Sequence, residues 1–198
     1  MLQTPRSRKT CKNCLRPLSV CYCDALVRVA NQIKVLIIQH PLEKKHPFNT
    51  GRIAHLCLSN SELLIKETFS QLEMELILST PSTLLYPSLS WLLQTVRPIE
   101  LSKMTSEIQQ LIVIDATWRK SKKILHLNPQ LQALPRMSLI GDLSSNYLIR
   151  KTTTANGLST LESIVKALEI LEPLSDSHHL LKPFEKMIEL QQLSSKSN

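Results

Sequence analysis

Short runs of aliphatic residues, separated by polar and proline-containing stretches, recur along the chain. The two clearest are residues 33–39 and 109–114. Continuous aliphatic runs of this length are typical of strands that are buried on both faces of a sheet. Shorter apolar segments at residues 62–67, 82–86 and 137–140 predict further strands of the same sheet.

Capping residues and helical spacing lie between these predicted strands. Asn49 and Thr50 can cap one helix, Ser159 and Glu162 have the spacing of a capping box, and a final helix is expected from about Pro183. One more helix is expected after residues 109–114. The apolar faces of these four helices are formed by Ile53, Leu56 and Cys57; Ile124, Leu125 and Leu127; Ile164, Val165, Leu168 and Leu171; and Phe184, Met187, Ile188 and Leu190. Strands that alternate with helices predict an α/β fold.

The length of 198 residues is enough for one substantial core. We therefore expect one catalytic domain over residues 31–198 and a small appendage over residues 1–30. No apolar run approaches the roughly 20 residues that cross a bilayer, and the N-terminus lacks a signal-like apolar stretch. These features predict a soluble, cytoplasmic protein, and no obligate protein partner is evident.

Charge and glycine content narrow the function. A formal net charge of +8 favours polyanionic partners, of which nucleic acid is the commonest inside cells. The chain has only three glycines, so it has neither a Gly-rich dinucleotide-binding fingerprint nor a phosphate-binding P-loop. Any nucleotide cofactor must therefore be bound in another kind of pocket.

The buried run over residues 109–114 is followed at once by Asp115-Ala116-Thr117-Trp118. Ligands of α/β sheets bind at the carboxyl ends of strands, so Asp115 and Trp118 are candidate site residues. Asp115 can accept a proton, and Trp118 can stack on a base. The alternatives are that Asp115 or Thr117 only caps the next helix and that Trp118 is a core residue.

A basic segment follows this junction. It can contact the phosphates of a nucleotide that lies over Asp115, although a solvated helix face is an equally good interpretation. Its four cations are Arg119, Lys120, Lys122 and Lys123.

Four of the five cysteines fall within thirteen residues, as Cys11-x2-Cys14 and Cys21-x-Cys23. This pattern can place four thiolates around one tetrahedral Zn²⁺. Basic residues in the same segment, including Lys12 and Arg16, would offset the charge of such a centre. A redox pair or disulfides are the alternatives, and disulfides are uncommon in a cytosolic chain.

Asp115-x-Thr117-Trp118 resembles the signature of the DTW-domain proteins, the tRNA-uridine aminocarboxypropyltransferases. The cysteine spacing resembles that of bacterial members, and the likeness runs from about Cys11 to the final helix. Small departures are Ala116, where glycine is frequent, and Gly51 and Ser163, where alanine is common. Four further segments resemble the family: Gln39-His40-Pro41 with Lys45-His46-Pro47-x-Asn49-Thr50, Leu134-Pro135-Arg136, Tyr147-x-x-Arg150-Lys151, and Leu158-Ser159-Thr160-Leu161-Glu162.

The resemblance implies a SPOUT-like fold, with a mostly parallel sheet, helices on both faces and a knotted C-terminal region. It implies transfer of the 3-amino-3-carboxypropyl group of S-adenosylmethionine to N3 of a tRNA uridine, with the variable loop favoured and 5′-methylthioadenosine released. The alternatives are a SPOUT-type RNA methyltransferase and a non-catalytic zinc-dependent RNA-binding protein.

Site residues follow from the resemblance together with the position of the loops. Asp115 is the candidate general base, with Thr117 and Trp118 beside it. A structural zinc segment would present Lys12 and Arg16 to tRNA. We expect S-adenosylmethionine to contact loops that follow strands, at His40, Pro41, Thr117, Leu134, Pro135, Arg136, Ser159 and Thr160.

Overall fold

The computed structural model of the chain describes residues 9–87, 107–139 and 158–196. Within these residues, one five-stranded sheet has the order β2-β1-β4-β3-β5, and every pair of neighbouring strands is parallel. Four of the five predicted strands are confirmed, with small shifts at their ends. The fifth, predicted over residues 137–140, is a strand only at Arg136–Met137; Ser138 and Leu139 are not in a strand, and Ile140 lies outside the described residues. The strands are β1 (Lys34–Gln39), β2 (Ser61–Ile65), β3 (Ser82–Leu85), β4 (Gln110–Asp115) and β5 (Arg136–Met137).

Six α-helices and four short 3-10 turns lie in the described residues. The helices are α1 (Thr50–Cys57), α2 (Gln71–Leu78), α3 (Trp118–Leu127), α4 (Pro129–Gln132), α5 (Thr160–Leu171) and α6 (Leu181–Lys196). The 3-10 turns are Leu18–Val20, Cys23–Ala25, Pro41–Glu43 and Ser177–Leu180.

The four predicted helices are confirmed as α1, α3, α5 and α6. Asn49 caps α1 by accepting a hydrogen bond from the backbone N–H of Arg52. Both halves of the expected capping box at Ser159 and Glu162 are present at the start of α5. Helix α6 begins at Leu181, two residues before the expected start at Pro183. Pro183 therefore lies in the first turn of the helix, where a proline is tolerated.

Helix α2 was not predicted from the sequence. Its start is a second capping box, in which Ser70 accepts from the backbone N–H of Glu73 and Glu73 accepts from that of Ser70. The apolar side chains of α2 are not confined to one face, because Leu72 and Leu76 are exposed whereas Met74 is buried. Hydrophobic periodicity therefore gave no helical signal, although the capping residues did.

Helices cover both faces of the sheet, and each face has its own apolar core. Ile37 and Val113 face one side, where α1, α5 and α6 pack, whereas Ile38 and Ile112 face the other, where α2, α3 and α4 pack. Burial of one such side chain stabilises the fold by about 1.5–3 kcal/mol, so the continuous aliphatic runs of β1 and β4 fix the centre of the sheet.

The cysteine-bearing segment packs against the first of these cores. Cys14 and Tyr22 are almost fully buried in it, and the short turns around them contact α6. The boundary at residue 30 stays a prediction. Tyr147, Arg150 and Lys151, which belong to the family resemblance, lie outside the described residues.

Among the residues that the structure describes, no helix is both long and apolar enough to pass through a membrane.

Candidate functional site

The carboxyl ends of β1 and β4 lie side by side at the centre of the sheet. Gln39, the last residue of β1, is the register partner of Asp115, the last residue of β4. The backbone N–H of His40 donates to the Asp115 carbonyl over 3.1 Å, which extends the pairing by one residue. The ends of the two strands that the sequence predicts most clearly therefore lie next to each other at the carboxyl edge of the sheet.

The Asp115 carboxylate is held by two hydrogen bonds from neighbouring elements. Gln39 Nε2 donates to Oδ2 over 2.6 Å, and the Thr160 hydroxyl at the start of α5 donates to Oδ1 over 2.6 Å. Gln39 Nε2 also donates to Asn49 Oδ1 over 2.8 Å, which links the carboxylate to the cap of α1. Because Asp115 is only 7% exposed, these contacts fix its position at the inner edge of the site.

Asp115 is therefore not the cap of the following helix. Thr117 occupies the N-cap position of α3, and its side chain makes no capping hydrogen bond. The alternative that Asp115 only caps the next helix is therefore wrong. Its carboxylate accepts hydrogen bonds from Gln39 and Thr160.

Gly51 lets α1 approach this carboxylate closely. A Cβ added at Gly51 would lie 2.8 Å from Cγ of Asp115, which is closer than such atoms come in real proteins. Glycine at this position thus has a physical consequence in this chain. The hydrogen in place of a methyl group keeps room for Asp115.

His40 joins a second polar group at the same edge. Its Nδ1 accepts from the backbone N–H of Leu42 over 3.1 Å, so Nε2 carries the proton and donates to Glu67 over 3.1 Å. Glu67 also pairs with Lys123 at 2.9 Å. The hydrogen bond from Lys123, followed by that from His40, lowers the pKa of Glu67 below its ordinary value. This cluster ties the ends of β1 and β2 to α3.

Trp118 begins α3 and is 52% exposed, so the core interpretation of this residue is wrong. Its ring packs edge-on against Tyr86, with ring centroids 5.8 Å apart. The Ser121 hydroxyl donates to the Trp118 carbonyl over 3.0 Å and lies 2.8 Å from the Tyr86 hydroxyl. Tyr86 is buried, and burial raises the pKa of its hydroxyl. The exposed indole of Trp118 thus packs against the buried ring of Tyr86.

The four cations of α3 differ in their surroundings. Lys120 pairs with Glu43 at 2.7 Å, and Lys123 pairs with Glu67. Arg119 and Lys122 are exposed. The charges of Lys120 and Lys123 are thus partly offset by carboxylates of the sheet edge. A contact of this segment with RNA stays a prediction.

The expected cofactor residues fall into two groups. His40, Pro41, Thr117, Ser159 and Thr160 lie next to the ends of β1 and β4, where they were expected. Pro41 and Thr117 are exposed at this edge, whereas Ser159 is buried in its capping box.

Leu134, Pro135 and Arg136 do not follow a strand, which corrects the expected position. They lead into β5, where the Pro135 carbonyl accepts from Leu84 N–H and Leu134 packs against the second core. Arg136 is buried, its Nη2 donates to the Gln132 carbonyl at 3.3 Å, and burial lowers its pKa. The strand predicted at residues 137–140 was a signal of this position, because it placed residues 134–136 before a strand and not after one.

The four clustered cysteines fit one metal ion. Their Sγ atoms all lie within 4.8 Å of one another, and the Cys11–Cys23 and Cys14–Cys21 distances are both 3.7 Å. A tetrahedron with metal–sulfur bonds of about 2.3 Å has edges of about 3.8 Å between its sulfur atoms. The donor set and the spacing therefore match a tetrahedral thiolate site.

The thiols of this cluster have unequal surroundings. Hydrogen bonds from the backbone of Cys14 and then Asn13 lower the pKa of Cys11 to about 6. Burial raises the pKa of Cys21 and of Cys23. A divalent cation would stabilise all four as thiolates, which is how such clusters couple metal binding to folding.

The two cations expected to contact RNA from this segment are placed differently. Lys12 is exposed. Arg16 is only 8% exposed, its guanidinium donates to the Pro47 carbonyl and to Gln191 Oε1, and burial lowers its pKa. This placement favours a structural role for Arg16 over a contact with RNA.

Comparison with known proteins identifies the family of the chain. Residues 8–192 match the DTW domain. The chain is 32% identical over 177 residues to tRNA-uridine aminocarboxypropyltransferase 2 of Drosophila melanogaster, covering 85% of this chain and 68% of the relative. It is 30% identical over 202 residues to the protein of that name from Macaca fascicularis, covering 96% of this chain and 66% of the relative.

The chain thus spans about two thirds of the length of these relatives. No solved structure matches it significantly. The relatives are, by name, transferase enzymes that act on tRNA uridine. The match over residues 8–192, with Asp115, Thr117 and Trp118 at the carboxyl edge of the sheet, shows that the chain belongs to the DTW-domain family.

Proposed function

We propose that this protein transfers the 3-amino-3-carboxypropyl group of S-adenosylmethionine to N3 of a uridine in tRNA. The observation that carries the proposal is the Asp115 carboxylate, held by Gln39 and Thr160 three residues before the exposed Trp118. The relatives named as tRNA-uridine aminocarboxypropyltransferases support the same reaction. A fixed carboxylate and an exposed aromatic ring at the same edge of the sheet suit a reaction at the edge of a base.

Asp115 is proposed as the general base. A uridine N3–H is a weak nucleophile until it loses its proton, which would pass to the carboxylate as N3 attacks. A bond then forms between N3 and the γ-carbon of the methionine moiety, and the bond from that carbon to sulfur breaks, which releases 5′-methylthioadenosine. In-line approach at short distance selects the γ-carbon over the methyl group, so positioning by the site decides the product.

S-adenosylmethionine supplies an electrophilic carbon on a sulfonium leaving group. The loops at the ends of β1 and β4 and the start of α5 are proposed to contact it, through His40, Pro41, Thr117 and Thr160. The parallel sheet with helices on both faces is compatible with the proposed SPOUT-like fold, and a knotted C-terminal region belongs to the same proposal.

The substrate is proposed to be held by the basic start of α3. Arg119 and Lys122 are exposed beside Trp118 and would contact phosphates that flank the target uridine. The variable loop of tRNA is the favoured location of that uridine, and the cytoplasm is the proposed compartment. Zn²⁺ at the four cysteines would have a structural role, because the displacement itself needs no metal.

The test is to incubate the purified protein with S-adenosylmethionine and unmodified tRNA and to digest the RNA for mass spectrometry. Aminocarboxypropyl-uridine together with 5′-methylthioadenosine is the expected result. Asp115→Asn serves as the matched control. A methylated nucleoside would instead identify a SPOUT-type methyltransferase, and tRNA binding without any product from a complete tRNA pool would identify a binding protein.

A further inference from the structure

The cysteine segment is connected to the site by one arginine of α1. The Arg52 guanidinium donates through Nη1 to the Asn13 carbonyl over 3.1 Å, and Asn13 lies between Cys11 and Cys14. The Asn13 side chain in turn donates to Cys23 Sγ at 3.6 Å. The end of the arginine side chain therefore contacts the turn that carries the proposed metal ligands.

The backbone of the same arginine takes part in the hydrogen bonds around the carboxylate. Arg52 N–H donates to Asn49 Oδ1 over 2.9 Å, and Gln39 Nε2 donates to that same oxygen over 2.8 Å and to Asp115 Oδ2 over 2.6 Å. Asn13, Arg52, Asn49, Gln39 and Asp115 thus form one continuous series of contacts.

A second arginine holds the segment that precedes Asn49. Arg16 is buried, and it donates through Nη1 to the Pro47 carbonyl over 2.8 Å and through Nη2 to Gln191 Oε1 over 2.7 Å. Pro47 lies two residues before the cap of α1. Two arginine contacts from separate points of the cysteine segment therefore converge on residues 47–52.

We propose that Arg52 and Arg16 are positioning residues, through which metal-dependent order of the cysteine segment fixes the N-terminus of α1 and so the donor side chains at Asp115. Within residues 9–30, the part of the segment that the structure describes, the helical structure consists of two 3-10 turns, so a metal ion at the four cysteines would be a main source of its order. The metal would thus act on the site through protein contacts without touching a substrate. The activity arm of the test below rests on the proposed function, whereas the exchange arm does not.

The test is hydrogen–deuterium exchange on the zinc-loaded protein, comparing wild type with Arg52→Met. This change removes the guanidinium but retains the backbone N–H that donates to Asn49, the cap of α1. We expect amides of residues 49–53 to exchange about tenfold faster, since one hydrogen bond to a charged group is lost, while those of α2 stay unchanged. Zinc content should stay at one ion per chain. Arg52→Lys should restore part of the protection.

Arg28→Met is the matched control, because Arg28 also donates to a backbone carbonyl, that of Ser59, at an exposed position away from this series of contacts. Removal of zinc by a chelator should speed up exchange of the amides of residues 49–53 in wild type, relative to those of α2. In Arg52→Met, the chelator should cause little further increase in their exchange rate. Unchanged exchange in Arg52→Met, or equal acceleration by the chelator in both proteins, would overturn the proposal.

The activity arm measures kcat and KM of the two proteins. We expect Arg52→Met to lower kcat by about tenfold with little change in the KM for S-adenosylmethionine, because a displaced base slows the chemical step more than it weakens binding. Faster exchange without any aminocarboxypropyl product in either protein would retain the structural link and reject the proposed function.

Discussion

Gln39 and Asp115 are register partners at the ends of adjacent central strands, and the amide of Gln39 donates to the carboxylate of Asp115 over 2.6 Å. The second acceptor of the same amide nitrogen is Asn49 Oδ1. A rotated amide would place its oxygen against Asn49 Oδ1, so the two acceptors fix the orientation of Gln39. The position of the carboxylate is therefore set by the sheet and by the cap of α1 together.

Asp115→Asn should separate chemistry from folding. The new amide oxygen can still accept from Gln39, and its nitrogen can donate to the Thr160 hydroxyl, which is free to rotate. We expect the free energy of unfolding to change by less than about 1 kcal/mol. Loss of the base should lower kcat by at least about 100-fold. Near-normal turnover with intact cofactor binding would rule out a base role.

Gly51→Ala should disturb the same carboxylate sterically. The added methyl group would lie too close to Cγ of Asp115, and overpacking of this kind costs about 1–3 kcal/mol. Urea unfolding measures the loss of stability, and turnover measures the displacement of Asp115. Ser163→Ala, another position where the family commonly has alanine, is the control and should change stability by less than about 0.5 kcal/mol.

Trp118→Ala should affect RNA more than the fold. Half of the side chain is exposed, so we expect a loss of stability of only about 1 kcal/mol, mainly from its contact with Tyr86. Loss of base stacking should weaken tRNA binding by about 1–3 kcal/mol. Titration of labelled tRNA checks this, and Trp118→Phe should retain much of the affinity. Equal losses in stability and affinity would indicate a packing role.

Arg119→Met and Lys120→Met should differ in their effect on tRNA binding. Arg119 is exposed, whereas Lys120 is paired with Glu43. Each released counterion adds about one to the slope of log K against log salt, so Arg119→Met should lower that slope by about one. Lys120→Met should lower it less, because its charge is already partly compensated. Identical slopes for the two variants would contradict this difference.

Acid should weaken the start of α2. The hydrogen bond from Lys66, followed by that from the Ser70 backbone, lowers the pKa of Glu73 to about 2, against an ordinary value of 4.5. A lowered folded pKa stabilises the protein above the unfolded value and loses that effect as the pH falls through the folded value. The difference in unfolding free energy between wild type and Glu73→Gln should therefore shrink between pH 4.5 and pH 2.

Urea unfolding over this pH range measures that difference. Glu75→Gln on the same helix is the control for removal of one carboxylate. A difference that stays constant down to pH 2 would show that the ion pair with Lys66 does not contribute to folding.

The sequence predicts those site residues whose position follows from the residues next to them in the chain. Asp115 and Trp118 follow a continuous aliphatic run, and a parallel sheet places the ends of such strands at one edge. Gln39 ends a predicted strand and Asn49 caps a predicted helix, so both lie in elements that the sequence indicates. Their role at Asp115 depends on the pairing of β1 with β4, in which the paired residues are 76 positions apart. Single-sequence patterns carry no register, so the donor role of Gln39 and the acceptor role of Asn49 were not assigned.

Long-range contacts also explain why the placement of Arg16 differs from expectation. Arg16 is buried because its carbonyl and amide acceptors come from Pro47 and Gln191, which are distant in sequence. Arg136 was expected in a loop after a strand, but it begins β5, and the strand predicted at residues 137–140 already implied that residues 134–136 precede a strand. Helix α2 is a different case, because Ser70 and Glu73 did carry a capping signal that an irregular apolar pattern obscured.

Gln39 and Thr160, which both donate to Asp115, lie 76 residues before it and 45 residues after it. Contacts of such high sequence separation form late, because loop-closure entropy must be overcome first. During synthesis, β4 can pair with β1 as soon as both have emerged, whereas the Thr160 hydroxyl becomes available only with α5. We therefore expect partly folded chains to have a sheet without a working site, so that enzymatic activity reports on completion of folding more strictly than secondary structure does.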